Sequence, residues 1–263
     1  MAIIRHRFRG PASKALLVIC ISVLQSLRSV NAATPAVLSK HQGKAITTQV
    51  STAQDETRHG VKKVLIIGAS VAHGWKDDKQ AGGYLKRAFT AISDVGANHL
   101  QVYNKAISGK CVKDIVDRYP QWLNRIKPNV VVLAWGVNDL AAHTPLSDYR
   151  AQIDWEIQSA LQQHAVVLVV TTPVSIASYT TYKTAQPQLI STEMAAANQL
   201  HNANVHVFDI FHQMKQYINQ HHQSYRAYAG DAWHPNAAGH QLAAQLLVQD
   251  WFHQFGNEEI HFA

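Results

Sequence analysis

Asp231 and His234 stand three residues apart in Gly230-Asp231-Ala232-Trp233-His234-Pro235. In a tight turn, that spacing lets a carboxylate reach the Nδ1–H of the imidazole in its own loop. The tautomer is then set, and Nε2 is left free to take a proton. Such a base needs a hydroxyl to act on. Ser70 in Gly68-Ala69-Ser70 is the candidate, directly after the apolar run Val64-Leu65-Ile66-Ile67. Two further segments supply donors. In Ser108-Gly109 the glycine keeps a Cβ out of the path of its backbone N–H, and in Gly136-Val137-Asn138-Asp139 the Asn138 amide can donate. An activated hydroxyl, a base in one tautomer and donors for an oxyanion are the parts that ester hydrolysis through an acyl-enzyme requires. Each residue alone has an ordinary explanation: Ser70 as a helix cap, Gly109 and Asn138 as turn residues. With 16 histidines in the chain, an Asp-x-x-His is not rare either. What raises the set is position, since each polar group ends an apolar run and the Asp231–His234 turn follows every strand candidate. Asp139 is expected to accept backbone N–H groups of its own loop instead of titrating.

Those groups must be carried by regular elements. Strands are expected at 64–68, 100–106, 130–134, 165–171 and 205–210, rich in β-branched residues and apolar throughout, as parallel strands covered on both faces are. Helices are expected at 83–93, 113–126, 147–164, 187–202 and 236–252, each with apolar residues three and four apart. Ser147 with Asp148 reads as an N-cap, and Pro187 suits a first helical turn. The alternation gives one α/β domain with five parallel strands and helices on both faces. Ligands bind such sheets outside the carboxyl ends of the strands, which is where Ser70, Gly109 and Asn138 fall.

The four segments resemble the sequence blocks of the SGNH (GDSL-type) hydrolase superfamily, over about residues 61–249. The resemblance implies a three-layer α/β/α, flavodoxin-like fold with a five-stranded parallel sheet, and a serine esterase, lipase or acylhydrolase activity. Matched residue by residue, it makes Ser70 the nucleophile, His234 the base and Asp231 its orienting acid. The oxyanion donors are the Ser70 N–H, the Gly109 N–H and the Asn138 amide. The chain departs from the pattern at Ala69, where the family usually has Asp.

Trp75, Trp135 and Trp233 neighbour the motif residues and could line an acyl pocket or stack on a sugar ring; packing at the domain rim is the alternative. The loops 73–83 and 174–186 are expected to overhang the site. No cofactor and no metal are expected: there is no His-Glu-x-x-His, and His221-His222 has no neighbouring carboxylates. Neither a phosphate-cradling loop, a dinucleotide fingerprint nor a Gly-x-Ser-x-Gly elbow occurs. The second reading is a non-catalytic carbohydrate-binding or cell-surface module that retains the fold.

The formal charge of +7 looks like a nucleic-acid signal until it is located. Arg5, Arg7, Arg9, Lys14 and Arg28 all lie in residues 1–32, which hold no acid; without them 19 basic residues face 17 acidic ones, a net of +2. No nucleic-acid partner is expected. Residues 1–32 instead have the form of a signal peptide, with a basic stretch, an apolar run from Ala15 to Leu27, and the small-residue site Val30-Asn31-Ala32. That run is shorter than the roughly 20 residues of a membrane span, so the protein is expected to be secreted or held at the cell surface. An uncleaved anchor is the alternative, because Arg28 sits within the cleavage region. Residues 33–60 are polar and read as a flexible spacer, and 61–263 as the hydrolase domain. After cleavage only Cys111 remains, which excludes an intramolecular disulfide and reads as a small buried hydrophobe.

Overall fold

The computed structural model describes residues 61–95 and 99–256; the expected signal peptide and spacer lie outside the described residues. In chain order the elements are β1 (Val61–Gly68), α1 (Ser70–His73), α2 (Gly83–Val95), β2 (His99–Asn104), α3 (Tyr119–Ile126) and β3 (Val130–Ala134). They continue with α4 (Asn138–Ala141), α5 (Leu146–Leu161), β4 (Val166–Val170), α6 (Ala185–Gln199), β5 (Val205–Phe208), α7 (Ile210–Gln220) and α8 (Ala237–Phe255). Single 3-10 turns occur at Val112–Ile115, Ala177–Tyr179 and Tyr225–Tyr228.

Period-two alternation explains why β1 is apolar on every residue of its centre. Val64 and Ile66 enter one core, with α2, α7 and α8. Leu65 and Ile67 enter the other, with α3 and α5. The strands are all parallel, in the order β2-β1-β3-β4-β5. This is the three-layer α/β/α arrangement expected. At the end of β1, Gly68 has φ +153°, and a Cβ there would stand 2.1 Å from the Ala134 carbonyl oxygen of β3. Only glycine lets the two strand ends close this tightly.

Three local expectations change. Residues 113–126 do not form one helix: Pro120 lacks an N–H and restricts the residue before it, so α3 starts at Tyr119 with the proline in its first turn. Ser147 is not an N-cap; α5 begins at Leu146 after Pro145, and the Ser147 hydroxyl bonds the Asp148 side chain. Helix α7 was not expected at all. Its buried residues Ile210, Phe211, Met214 and Ile218 keep helical spacing, and Asp209 caps it by accepting the His212 N–H, but its His- and Gln-rich remainder masks the pattern.

Behind the sheet, Asp139, Glu156 and Glu193 are buried carboxyl groups. Burial pushes Glu193 up to about 8, against the hydrogen bond it accepts at 2.6 Å from the Tyr149 hydroxyl. The group sheds its proton near 4.5 when unfolded but keeps it to about 8 when folded. Stability therefore falls across that window as pH rises, by up to roughly 1.4 kcal/mol per pH unit from this residue. Glu193→Gln is expected to flatten the decline, so that urea unfolding at pH 8 finds the variant more stable than the native chain. An unaltered slope would show that Glu193 titrates normally.

Candidate active site

Strand order places the site. From β1 the chain crosses to β2 on one side and then to β3 on the other, so the loops leaving β1 and β3 diverge and open a crevice above their carboxyl ends. Ser70 is the first residue of α1, one residue beyond the Gly68–Ala69 bend, and is nearly buried. The short helix is held from both sides. His73 N–H donates to the Ala69 carbonyl, Gly74 and Trp75 N–H groups to that of Ser70, and the Asn104 amide at the end of β2 to that of Ala72. Ala69 itself packs into the α3–α5 core, so in this chain backbone bonds, with no carboxylate at position 69, set the turn.

The loop between the 3-10 turn at Tyr225–Tyr228 and α8 brings Asp231 and His234 to Ser70. The Asp231 Oδ1 accepts the backbone N–H of Trp233 at 2.8 Å and of His234 at 2.9 Å, closing the turn. The His234 Nδ1 lies 2.9 and 3.0 Å from the two carboxylate oxygens and therefore carries the ring proton. Its Nε2 is left to accept the Ser70 hydroxyl, 2.9 Å away. Burial works against the Asp231 carboxylate, but the Trp233 N–H and the His234 ring and N–H outweigh it and hold it below its ordinary value. The Lys76 ammonium, 3.8 Å from Oδ2, adds a partly exposed cation that sequence reasoning did not single out.

Donors close the other side. Gly109 has φ +78° in the loop after β2, a conformation that favours glycine. One hydrogen of the Asn138 amide goes to the Lys110 carbonyl at 3.0 Å, which locks the two donor loops together and leaves the second hydrogen for a ligand. A cavity of about 280 Å³ is lined by Ser70, Gly109, Asn138 and His234, with Trp75 and Trp233 among its walls.

Trp135 does not join them. It continues the alternation of Val131 and Leu133 into the α5 core, and its Nε1–H donates to the buried Glu156 at 2.8 Å. It anchors the Asn138 loop from behind and is not a substrate-lining residue. Cys111 is buried as well, and burial, with Asp139 and Asp114 nearby, pushes its thiol up to about 11, which leaves it protonated and unreactive at neutral pH. Asp139 accepts the Thr144 hydroxyl and the N–H of Val112. Val112 belongs to the 3-10 turn after β2 and not, as expected, to the loop of Asp139 itself, so the carboxylate ties the two loops together.

The loop at 73–83 supplies Trp75 to the cavity through a support not legible beforehand. His240 of α8 donates from Nε2 to the Trp75 carbonyl and accepts the Tyr84 N–H at Nδ1. Asp77 holds Arg87 through two hydrogen bonds of 2.8 and 2.7 Å. Both ties link the loop to helices packed under it. Among the described residues, no group of three or more His, Cys, Asp or Glu is arranged to hold a metal ion.

Comparison with known proteins adds to this geometry. The model of the GDSL-like lipase/acylhydrolase family matches residues 66–242. No curated protein matches the sequence. Among solved structures, an acetylxylan esterase from Geobacillus stearothermophilus superposes with a TM-score of 0.61 at 19% identity, over 78% of this chain and 99% of that one. An alpha/beta hydrolase from the metagenome of Lake Arreo, Spain, gives 0.59 at 20% identity, over 73% and 95%.

Proposed function

Because this chain belongs to the GDSL-like lipase/acylhydrolase family and is thereby a carboxylic ester hydrolase, we propose that it works through an acyl-enzyme on Ser70. The Ser70 Oγ attacks the ester carbonyl carbon as its proton passes to His234 Nε2, and Asp231 stabilises the imidazolium through Nδ1–H. The oxyanion that forms is met by the Ser70 N–H, the Gly109 N–H and the free hydrogen of the Asn138 amide. Collapse expels the alcohol, which leaves with the proton from Nε2; water then enters by the same steps and releases the acid. The observation that carries this reading is the unbroken chain of hydrogen bonds from Asp231 through His234 to Ser70, at 2.9 Å on each side of the ring. A module that only binds has no need of it.

A cavity of about 280 Å³ walled by Val71, Val137, Trp75 and Trp233 suits a short acyl group. The half-exposed Trp75 and the Trp233 ring offer flat apolar faces to a sugar in the alcohol part. The substrate class is therefore short-chain acylated carbohydrate, in keeping with the acetylxylan esterase of similar fold. Residues 1–32 export the protein, so that it acts outside the cytoplasm.

A fluorophosphonate probe tests the reading: labelling of the native chain at Ser70 supports it, and an unlabelled but folded chain sinks it. Asn138→Ala is expected to lower kcat for p-nitrophenyl acetate by roughly 10²–10³ with little change in KM, as loss of one oxyanion donor does. A change confined to KM would remove Asn138 from the oxyanion site.

A further inference from the structure

Beyond Trp233 the rim carries an aromatic ladder with cations at both ends. The Tyr179 and Tyr225 rings stack 4.2 Å apart at 8°. Nothing fits between rings that close, so a cation over either one must take its outer face. Lys215 Nζ stands 5.1 Å from the Tyr179 ring centre and 5.0 Å from that of Phe211. The Arg226 guanidinium stands 5.5 Å from that of Tyr225. The ladder is joined to the site described above. Tyr182 packs edge-on against Trp233 at 5.4 Å, and the Ala177 N–H donates to the Ala232 carbonyl, between Asp231 and Trp233.

Lys183, next to Tyr182, adds a third cation. Burial and this neighbouring lysine hold the Lys215 ammonium below its ordinary value, and no carboxylate counters them. Among the described residues, none of Lys183, Lys215 and Arg226 has an acidic partner or a side-chain hydrogen bond. Holding a half-buried cation beside a second one, with no anion, costs stability unless a ligand supplies the charge.

We propose that Lys215 and Arg226, at the two ends of the Tyr179–Tyr225 stack, together with Lys183 near Lys215, form a subsite for the anionic groups of an acidic sugar chain whose acyl ester lies at Ser70. The inference rests on the esterase reading for its reaction, and on the ladder alone for its ligand. Sugar rings lie against Trp233 and Tyr182 while carboxylate substituents beyond them meet the cations. An isolated phosphate would need donors converging on one point, whereas Lys215 and Arg226 stand on opposite ends of the Tyr179–Tyr225 stack.

Calorimetry on a Ser70→Ala protein, which cannot turn substrate over, reads the binding directly. Hexagalacturonate is expected to bind about tenfold or more tightly than neutral xylohexaose, with the advantage shrinking as salt is raised. Adding Lys183→Gln, Lys215→Gln and Arg226→Gln should erase the preference. The same three changes in the native background should leave p-nitrophenyl acetate turnover unaltered. If the half-buried Lys215 proves necessary for folding, Lys183→Gln with Arg226→Gln, both exposed, must still lower the preference severalfold. Equal affinity for the two oligosaccharides, or a preference that survives the substitutions, overturns the proposal. So does binding to phosphatidylglycerol vesicles without binding to hexagalacturonate. A native chain inert toward esters that still prefers hexagalacturonate would sink the esterase reading while leaving the subsite standing.

Discussion

Ser70→Ala is expected to lower kcat for p-nitrophenyl acetate by about 10⁶-fold, the scale at which loss of a serine nucleophile leaves only binding and oxyanion donors at work. The size of the effect follows from how the hydroxyl is held. Among the described residues, His234 Nε2 has one oxygen within hydrogen-bond distance, that of Ser70, so no other described side chain inherits the base when it is removed. Ser108 also lines the cavity but makes no bond to the imidazole. Ser108→Ala is therefore the control, and its turnover should stay within a few-fold of native. Among the described residues the Ser70 side chain bonds only His234, so the variant should melt within a few degrees of the native chain. A folded Ser70→Ala protein that keeps a tenth of native turnover would remove Ser70 from the mechanism.

Asp231→Asn should cost about 10⁴ in kcat, for a different reason. Asp231 Oδ1 accepts two backbone N–H groups that close the turn, and an asparagine keeps them by placing its own oxygen there. Its NH₂ then faces His234 Nδ1, where Oδ2 stood 3.0 Å away. Oδ1 still faces Nδ1 at 2.9 Å but also accepts the two backbone N–H groups. An N–H donor in place of Oδ2 therefore favours a ring that accepts at Nδ1 and carries its proton on Nε2, toward the Ser70 hydroxyl. The base is then in the wrong tautomer while the loop stays intact. Single-turnover kinetics with p-nitrophenyl acetate, alongside a thermal melt, separate the two effects. A variant within tenfold of native would show that His234 needs no orienting acid.

Legibility varied with the range of the interaction. The central strands β1, β3 and β4 declare themselves because a strand covered on both faces has no polar positions, as Val64–Ile67 and Val130–Ala134 do not. The edge strands β2 and β5 are not apolar throughout as expected: each has a partner on one side only, is partly exposed, and between them they carry His99, Gln101, Asn104 and His206. Helix α7 is not legible because only four of its eleven residues are buried and, Tyr217 apart, the rest are polar. The break before α3 is legible in the sequence as Pro120, whose fixed φ and missing N–H confine it to a first helical turn. Closeness in sequence to Asn138 suggests the cavity for Trp135, whereas counting by twos from Val131 and Leu133 assigns it to the α3–α5 core. The support under Trp75 had no local sign, since His240 lies 165 residues further along.

Read alone, the chain determined its layering, the parallel sense of its sheet and the strand ends at which its polar groups emerge. These depend on side-chain periods of two and 3.6 residues, which operate over a few positions. The bond within Asp231–His234 is of the same kind, because three residues in one turn cannot separate far. Tertiary structure decided the rest: that Ser70 and His234, 164 residues apart, stand 2.9 Å from each other, that Asn138 clasps the Gly109 loop, and that Lys215 and Arg226 flank one pair of tyrosines. Strand order and helix packing bring such groups together, and no pattern local to either partner carries that information.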